Sequence, residues 1–595
     1  SRSELRAIEQ CPDELKPLAE LQYRGVLWSQ YNGKDWTVNS YLTSTSGGLG
    51  LDVAKDSATQ QALIMALETI LQSSVASLSA KRLEASDFNQ LLSGDPIRDL
   101  LSWMNSPQDV QKQWSNGRWQ ALCNIAKAEF KLNIEDDGEY IAAEKLCARV
   151  GPWEQVWQRF SDSPDLFPSL PLLLERVPVP DLLADPATYP QENAHDEATL
   201  VDALTALGKV TPSKARKKIT ELEQQHSTRR SSVWARLNRA PWAVLLDPLV
   251  KVAILSESTL GGLTPQELGE RYINDGWQVD AAMLAALSLC ETNQQRTIVE
   301  NVLAVIYTPW LADLNERFQK QVSEQGYPGK TGIEEAVADY MVGGELVFFI
   351  DGLRLDVGHQ LIEALENKGL TPNLMTQWSA LPSVTATAKA AVSPISQYLT
   401  GIGSNKDFEP SVKNEGGLSH DKFKRLLEKH GWQYLAEDDL GDSSGNAWVA
   451  CGDIDKEGHK SELKLARRMS PILDSIVERI LELQQSGWRK IRIVTDHGWL
   501  LVPGKMPKSD LPVQATDSRW GRCAQLKNNV EVQGLTLGWY WDPNVPIHFP
   551  HGIHSFIAGR SYSHGGVSLQ ECLVPVVTIE GEVKPLSKAN IKSVH

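Results

Sequence analysis

The sequence has no Cys-x-x-Cys pair. Its 7 cysteines, at 11, 123, 147, 290, 451, 523 and 572, are scattered along the chain. That scatter excludes a cysteine-ligated zinc site and a disulfide framework, and it implies reduced thiols in a cytoplasmic setting. No apolar run reaches the ~18 residues that a bilayer-spanning helix needs, and no secretory leader pattern is present, so no membrane partner is expected. An excess of positive charge is also missing. With 59 Lys and Arg against 75 Asp and Glu, the net charge is −16, which excludes a wholly basic nucleic-acid coat but leaves room for a local basic groove. There is no internal repeat and no low-complexity tract. The chain opens on Ser1 and has no methionine before Met65; the expectation is a fragment that lacks an N-terminal piece.

What is present is an ordinary globular composition, 42% hydrophobic and 23% charged over 595 residues, long enough for about two to four domains. Residues 1–161 read as a mainly helical domain, because apolar residues recur at three and four in stretches such as "ATQQALIMALETILQSSVASL". Residues 162–192 carry 7 prolines; proline lacks an amide donor and blocks helices, so a connector over a surface is expected. Residues 193–332 read as a second helical domain, closed by the break "GYPGKTG". From 333 to 595 short β-rich runs alternate with helical patterns: "ELVFFID", "VGHQLIEALENKG", "AWVACGD", "KIRIVTDHG", "CLVPVVTIEG". That alternation predicts an α/β domain with a mostly parallel sheet and helices on both faces. Functional groups then collect at the carboxyl edge of the strands.

Of the 12 histidines, 10 lie at position 359 or later, which points to a use for imidazole in this half. Four segments carry candidate chemistry. "FFID" ends a strand on Asp351. "ALPSVTATAKAAV" places Thr385 before a helix-like run of small residues; a plain N-cap is the alternative reading. "KIRIVTDHGW" ends a strand on Asp496 and His497. "DIDKEGH" spaces Asp455 and His459 by four, one helical turn, with Asp453 an alternative to Asp455. "SHGGVSLQECLVP" adds His564. Each alone is weak, since an acid after a strand and a lone histidine are commonplace. Together they supply three acids, three histidines and one hydroxyl, the donors that two neighbouring divalent cations need. Oxygen and imidazole donors without thiolate suit zinc, with manganese second.

In this order, "FFIDGLRLD", "LPSVT", "DIDKEGH", "VTDHG" and "HGGVSLQECLVP" resemble the alkaline phosphatase superfamily, and within it the PglZ branch found in BREX-type bacterial phage defence. The resemblance covers roughly residues 340–580. It implies an alkaline-phosphatase-like α/β core, a two-metal phosphohydrolase site, and other defence proteins as partners. Carried over by motif, Asp351, Thr385, Asp496 and His497 would hold one metal, and Asp455, His459 and His564 the other. Thr385 would be the nucleophile; Thr387, two residues on, is easily mistaken for it.

For the rest of the substrate, Arg354 stands near enough to Asp351 to reach a phosphate oxygen, with a salt bridge to Asp356 or a helix acid as the alternative. Between the last two metal motifs lie Lys505, Lys508, Arg519, Arg522 and Lys527, with Trp520 among them. A basic loop with an aromatic beside a phosphate site favours a nucleic-acid or nucleotide substrate; a solvated loop is the bland reading. A second basic run, 214–239, either touches a DNA backbone or is a helix surface with pairs such as Lys217–Glu221. The expectation is therefore a phosphodiesterase or nuclease. The alternatives are a phosphomonoesterase and a scaffold component whose metal or nucleotide site turns over little. "PSVTATAK" lacks the pattern a sulfatase would need around its nucleophile.

Overall fold

The computed structural model describes residues 38–45, 48–180, 186–329, 343–401, 407–436, 438–527 and 530–581. Two compact units emerge: residues up to 198 together with 228–241, and residues 199–227 together with those from 242 onward. The first unit is helical. Its helices, among them Pro96–Asn105, Asn116–Ala128, Ile134–Ala148 and Trp153–Asp162, close on Leu100, Leu122, Leu146 and Phe160, all fully buried. Among the described residues the proline-rich stretch holds the short helix Leu170–Leu174, with Pro171 in its first turn, where a missing amide donor costs nothing, the 3-10 turns Pro164–Leu166 and Pro186–Thr188, and the start of the helix Pro190–Leu207.

The second unit is built on a six-stranded sheet. Its strands are β1 (Glu345–Phe349), β2 (Pro372–Trp378), β3 (Trp432–Leu435), β4 (Asn446–Ala450), β5 (Lys490–Val494) and β6 (Leu573–Glu580). They lie in the order β2-β6-β5-β1-β4-β3. β1 pairs in parallel with both β4 and β5, and β3 in parallel with β4; β6 runs antiparallel to its neighbours β5 and β2. The expected mostly parallel α/β sheet is thus present, with β6 as its one reversed strand. β1 is buried along its whole length, as a continuous apolar run in the middle of a parallel sheet requires. Its single charged residue, Glu345, is neutralised by Arg492 at 2.8 Å and Lys490 at 3.6 Å.

Register determines what the sheet presents. Phe349 lies opposite Ala450 of β4 and Val494 of β5. Residues just past these three positions therefore emerge side by side at one carboxyl edge: Asp351 after β1, the 453–459 segment after β4, and Asp496–His497 after β5. Helices follow in alternation, Leu355–Glu366 after β1, Thr385–Ala391 after β2, and Ile454–Ser461 then Leu465–Gln485 after β4.

The helices of 199–227 and 242–325 belong to this same unit; the boundary expected at 332/333 lies outside the described residues. The helix Thr308–Gln325 grips the segment that leads to and from His564. Gln319 Nε2 donates to the carbonyls of Pro550 and Val567, both at 3.1 Å, and its Oε1 accepts from the Gly552 amide at 2.7 Å. Asn315 reaches Gln570 at 3.2 Å. Among the described residues no helix is long and apolar enough to cross a membrane.

Candidate metal centre

Tight turns bring the strand ends together. Gly352 adopts φ 76°, and a Cβ there would stand 3.1 Å from that of Asp455; only glycine lets the β1 turn approach the helix that bears Asp455. That helix carries a second close approach. Gly458 lies flat against Tyr562, where a Cβ would fall 2.3 Å from the ring. Tyr562 uses the space to donate its hydroxyl to Asp455 Oδ1 at 2.8 Å.

Around this junction the seven candidate donors converge. Thr385 Oγ1 lies 3.4 Å from Asp351 Oδ1 and 3.2 Å from His497 Nε2. His497 Nε2 is 3.6 Å from carboxylate oxygens of both Asp351 and Asp496. On the other side, Asp455 lies 3.3 Å from His564 Nε2 and 3.6 Å from His459 Nε2. The two histidine nitrogens face each other at 3.1 Å. The sides are joined: the His497 and His564 rings stack with centroids 3.8 Å apart. Asp455 belongs to both sets of mutually close donor atoms, one with His459 and His564, the other with Asp351 and His497. The expectation divided the ligands into separate groups of four and three; in the structure Asp455 stands between them.

Outer partners orient the rings. His497 Nδ1 meets the Gly498 carbonyl at 2.9 Å and His564 Nδ1 the Ser383 carbonyl at 3.1 Å. A carbonyl only accepts, so each Nδ1 carries the proton and each Nε2 turns its lone pair into the pocket, the tautomer a metal ligand needs. The carboxylates are crowded. Burial, followed by the charges of Asp496 and Asp455, pushes Asp351 up to about 8. Burial likewise pushes Asp496 up to about 7, and burial with the neighbouring His497 takes His564 down to about 4. Asp496 Oδ1 accepts from the Gly352 and His497 amides at 3.2 and 3.0 Å, whereas its buried Oδ2 has no hydrogen-bond partner. An orphaned carboxylate oxygen, imidazole Nε2 atoms turned into the pocket and mutually repelling acids together fit divalent cations, in the hard oxygen-and-nitrogen donor set that zinc or manganese accepts.

Two ambiguities of the sequence resolve geometrically. Asp453 points outward, 72% exposed and paired with Lys456 at 3.2 Å, while the Asp455 side chain is 13% exposed inside the cluster. Thr387 is buried away from it, donating to the Phe408 carbonyl and accepting from Trp539 Nε1, both at 2.9 Å.

The substrate-binding expectations need correction. Arg354 is fully buried, forked onto Asp356 at 2.6 and 2.7 Å and stacked on Trp499; it reaches no substrate. Arg522 is equally buried, bonded to Glu571 at 2.8 and 3.1 Å and to the Gly552 carbonyl. Arg519 donates to the carbonyls of Leu511 and Phe556 at 3.0 and 2.8 Å. Lys508 pairs with Asp510 at 2.8 Å. Lys527 is exposed. The loop is held by its arginines rather than presenting them. Likewise, in the 214–239 run, Lys218 pairs with Glu221, Arg216 bonds Ser256 and the Ile306 carbonyl, and Arg229 is buried against Glu197. Removing one member of a buried pair leaves the other charge stranded. Arg522→Ala is therefore expected to lower unfolding stability by about 3–5 kcal/mol, measurable as a shift of the urea midpoint.

Two groups that sequence reading missed stand at the site. Tyr562 orients Asp455; its only sequence signal is its place two residues before His564. Lys389, one helical turn beyond Thr385, lines two clefts that open beside the cluster. The larger, about 650 Å³, is bounded by Asp351, Lys389, Lys456, Arg468 and Ile476 among others. The smaller, about 200 Å³, is bounded by Thr385, Lys389, Glu409, His420 and Phe423 among others.

Residues 333–579 match the family model of the BREX system PglZ alkaline phosphatase-like domain. Among curated proteins, none matches significantly. Among solved structures, murine ectonucleotide pyrophosphatase/phosphodiesterase 5 is similar at 12% identity, over 40% of this chain and 88% of that one, with a TM-score of 0.28.

Proposed function

Residues 333–579 belong to the PglZ family of alkaline-phosphatase-like domains, and on that premise we propose that this chain is a two-metal phosphodiesterase that acts on nucleic acid or nucleotides, with Thr385 as nucleophile, alongside other phage-defence proteins. The observation that carries the reading is the convergence of donors from well-separated segments of the chain on one pocket, with Asp455 common to both donor sets. Asp351, Thr385, Asp496 and His497 would hold one cation, and Asp455, His459 and His564 the other. When bound, the cations supply charge neutralisation for the phosphate and make a neighbouring hydroxyl more acidic.

The chain's own residues do the rest. Thr385 Oγ attacks phosphorus in line, a P–O bond to threonine forms, the bond to the leaving oxygen breaks, and the threonine proton passes through water to that oxygen, which departs as the alcohol. Water then cleaves the phosphothreonine and returns the hydroxyl. Tyr562 holds Asp455, and the Ser383 and Gly498 carbonyls hold the His564 and His497 rings, so the donors need little rearrangement between steps. A diester is favoured over a monoester because the site opens on two clefts rather than one. Hydrolysis of bis-nitrophenyl phosphate faster than of the mono-ester, abolished by chelator and restored by zinc or manganese, is the expected result. No hydrolysis of either ester in a metal-loaded protein would favour the scaffold alternative.

Metal removal also has a stability signature. Without a cation the crowded acids Asp351, Asp455 and Asp496 repel one another, so chelation is expected to lower the melting temperature. Metal added back at 100 times its Kd should restore about 2.7 kcal/mol, read by thermal unfolding with and without chelator.

A further inference from the structure

With Arg354, Arg519 and Arg522 engaged elsewhere, the pocket needs another cation for the phosphate, and Lys389 is placed for it. It follows Thr385 by four on the helix Thr385–Ala391, so both side chains leave the same face. Its ammonium lies over the ring faces of Phe349 at 4.6 Å and Phe423 at 5.9 Å. Among the described residues it makes no hydrogen bond or ion pair. A half-buried ammonium resting on aromatic faces beside a nucleophile, without a carboxylate contact, is poised for an anion.

The clefts indicate what the anion is attached to. Lys389 lines both: it shares the larger with Asp351 and the smaller with Thr385. A monoester has one arm and would leave a cleft without use. The larger cleft is within the usual size of a small-molecule site, and Pro471 and Ile472 contribute apolar surface to it. Its rim charges are already balanced, Lys456 by Asp453 at 3.2 Å and, more loosely, Arg468 by Glu457 at 3.9 Å. It therefore suits a flat, uncharged group such as a nucleoside better than a chain of further phosphates. The smaller cleft, with Phe423 and His420 among its walls, takes a smaller arm.

Building on the phosphodiesterase reading, we propose that Lys389 binds a non-bridging oxygen of a phosphodiester whose bulky, nucleoside-like arm lies in the larger cleft and whose smaller arm lies in the other. The test measures binding, so that it does not depend on turnover. Inorganic phosphate and a dinucleotide are titrated calorimetrically into metal-loaded Thr385→Ala protein, alone and combined with Lys389→Gln, Lys389→Arg or Ser475→Trp. Ser475 is an exposed residue on the wall of the larger cleft.

Lys389→Gln is expected to weaken both ligands by about tenfold or more, with metal content and melting temperature unchanged, and Lys389→Arg to retain most of the affinity. Ser475→Trp should weaken the dinucleotide alone. Phosphate binding that is indifferent to Lys389→Gln, dinucleotide binding that is indifferent to Ser475→Trp, or no binding of either ligand overturns the proposal. Lys389-dependent binding together with a wild-type protein that hydrolyses no ester would instead overturn the hydrolase reading and leave this one standing.

Discussion

Thr385→Ala is expected to lower kcat for a phosphodiester by at least ~10³-fold, because it removes the hydroxyl proposed to form the covalent bond to phosphorus. Metal content should change little, since Asp351, His497 and Asp496 remain. Thr385 Oγ1 sits 3.2 Å from His497 Nε2 and 3.4 Å from Asp351 Oδ1, a position that no other hydroxyl among the described residues shares; Thr387 is bonded to Phe408 and Trp539 instead. Single-turnover rates with metal analysis on the same preparation check this. A near wild-type rate in Thr385→Ala removes Thr385 from the mechanism. A lost rate accompanied by lost metal would make it a ligand first and a nucleophile unproven.

The second large effect is expected at Asp455. Its two oxygens contact both histidines of one donor set and lie within reach of the other set through Asp351 and His497. Asp455→Asn halves the donor capacity and removes the charge from both sets together. Metal affinity should fall by more than ~100-fold, beyond what loss of an outer partner costs, with activity lost in parallel. Asp453→Asn is the contrast. Asp453 is 72% exposed and bonded to Lys456, so that variant should keep its metal. If Asp453→Asn loses metal and Asp455→Asn keeps it, the centre is assembled around the wrong carboxylate. Tyr562→Phe, which deletes the 2.8 Å hydrogen bond to Asp455, should fall between them, at about 10-fold in affinity.

Charge type was legible in the sequence, and charge availability was not. Arg354, Arg519 and Arg522 read as substrate cations because they stand beside the motifs, yet all three are turned inward to carboxylates or carbonyls. Chain adjacency says nothing about direction once a loop is packed. Lys389 stands in "TATAKAAV", its spacing of four from Thr385 visible in the sequence; its significance depends on Phe349 and Phe423 lying beneath it and on its forming no ion pair among the described residues, although Asp351 and Glu409 line the same clefts. The ambiguity between Asp453 and Asp455 has the same origin. Neighbours two apart on a helix N-terminus face different ways, and only packing against Gly352 and Tyr562 selects one of them.

By itself the sequence determined the α/β alternation, the parallel sheet and the donor types, because hydrophobic periodicity and strand-end acids are local properties of the chain. Tertiary structure alone decided that Asp455 stands between two donor sets, that three arginines are internal, and that two clefts meet at Lys389. Those outcomes depend on strand register and on the helices of 199–227 and 242–325 sharing a unit with the sheet, and no local pattern encodes which distant side chain will fill a given space.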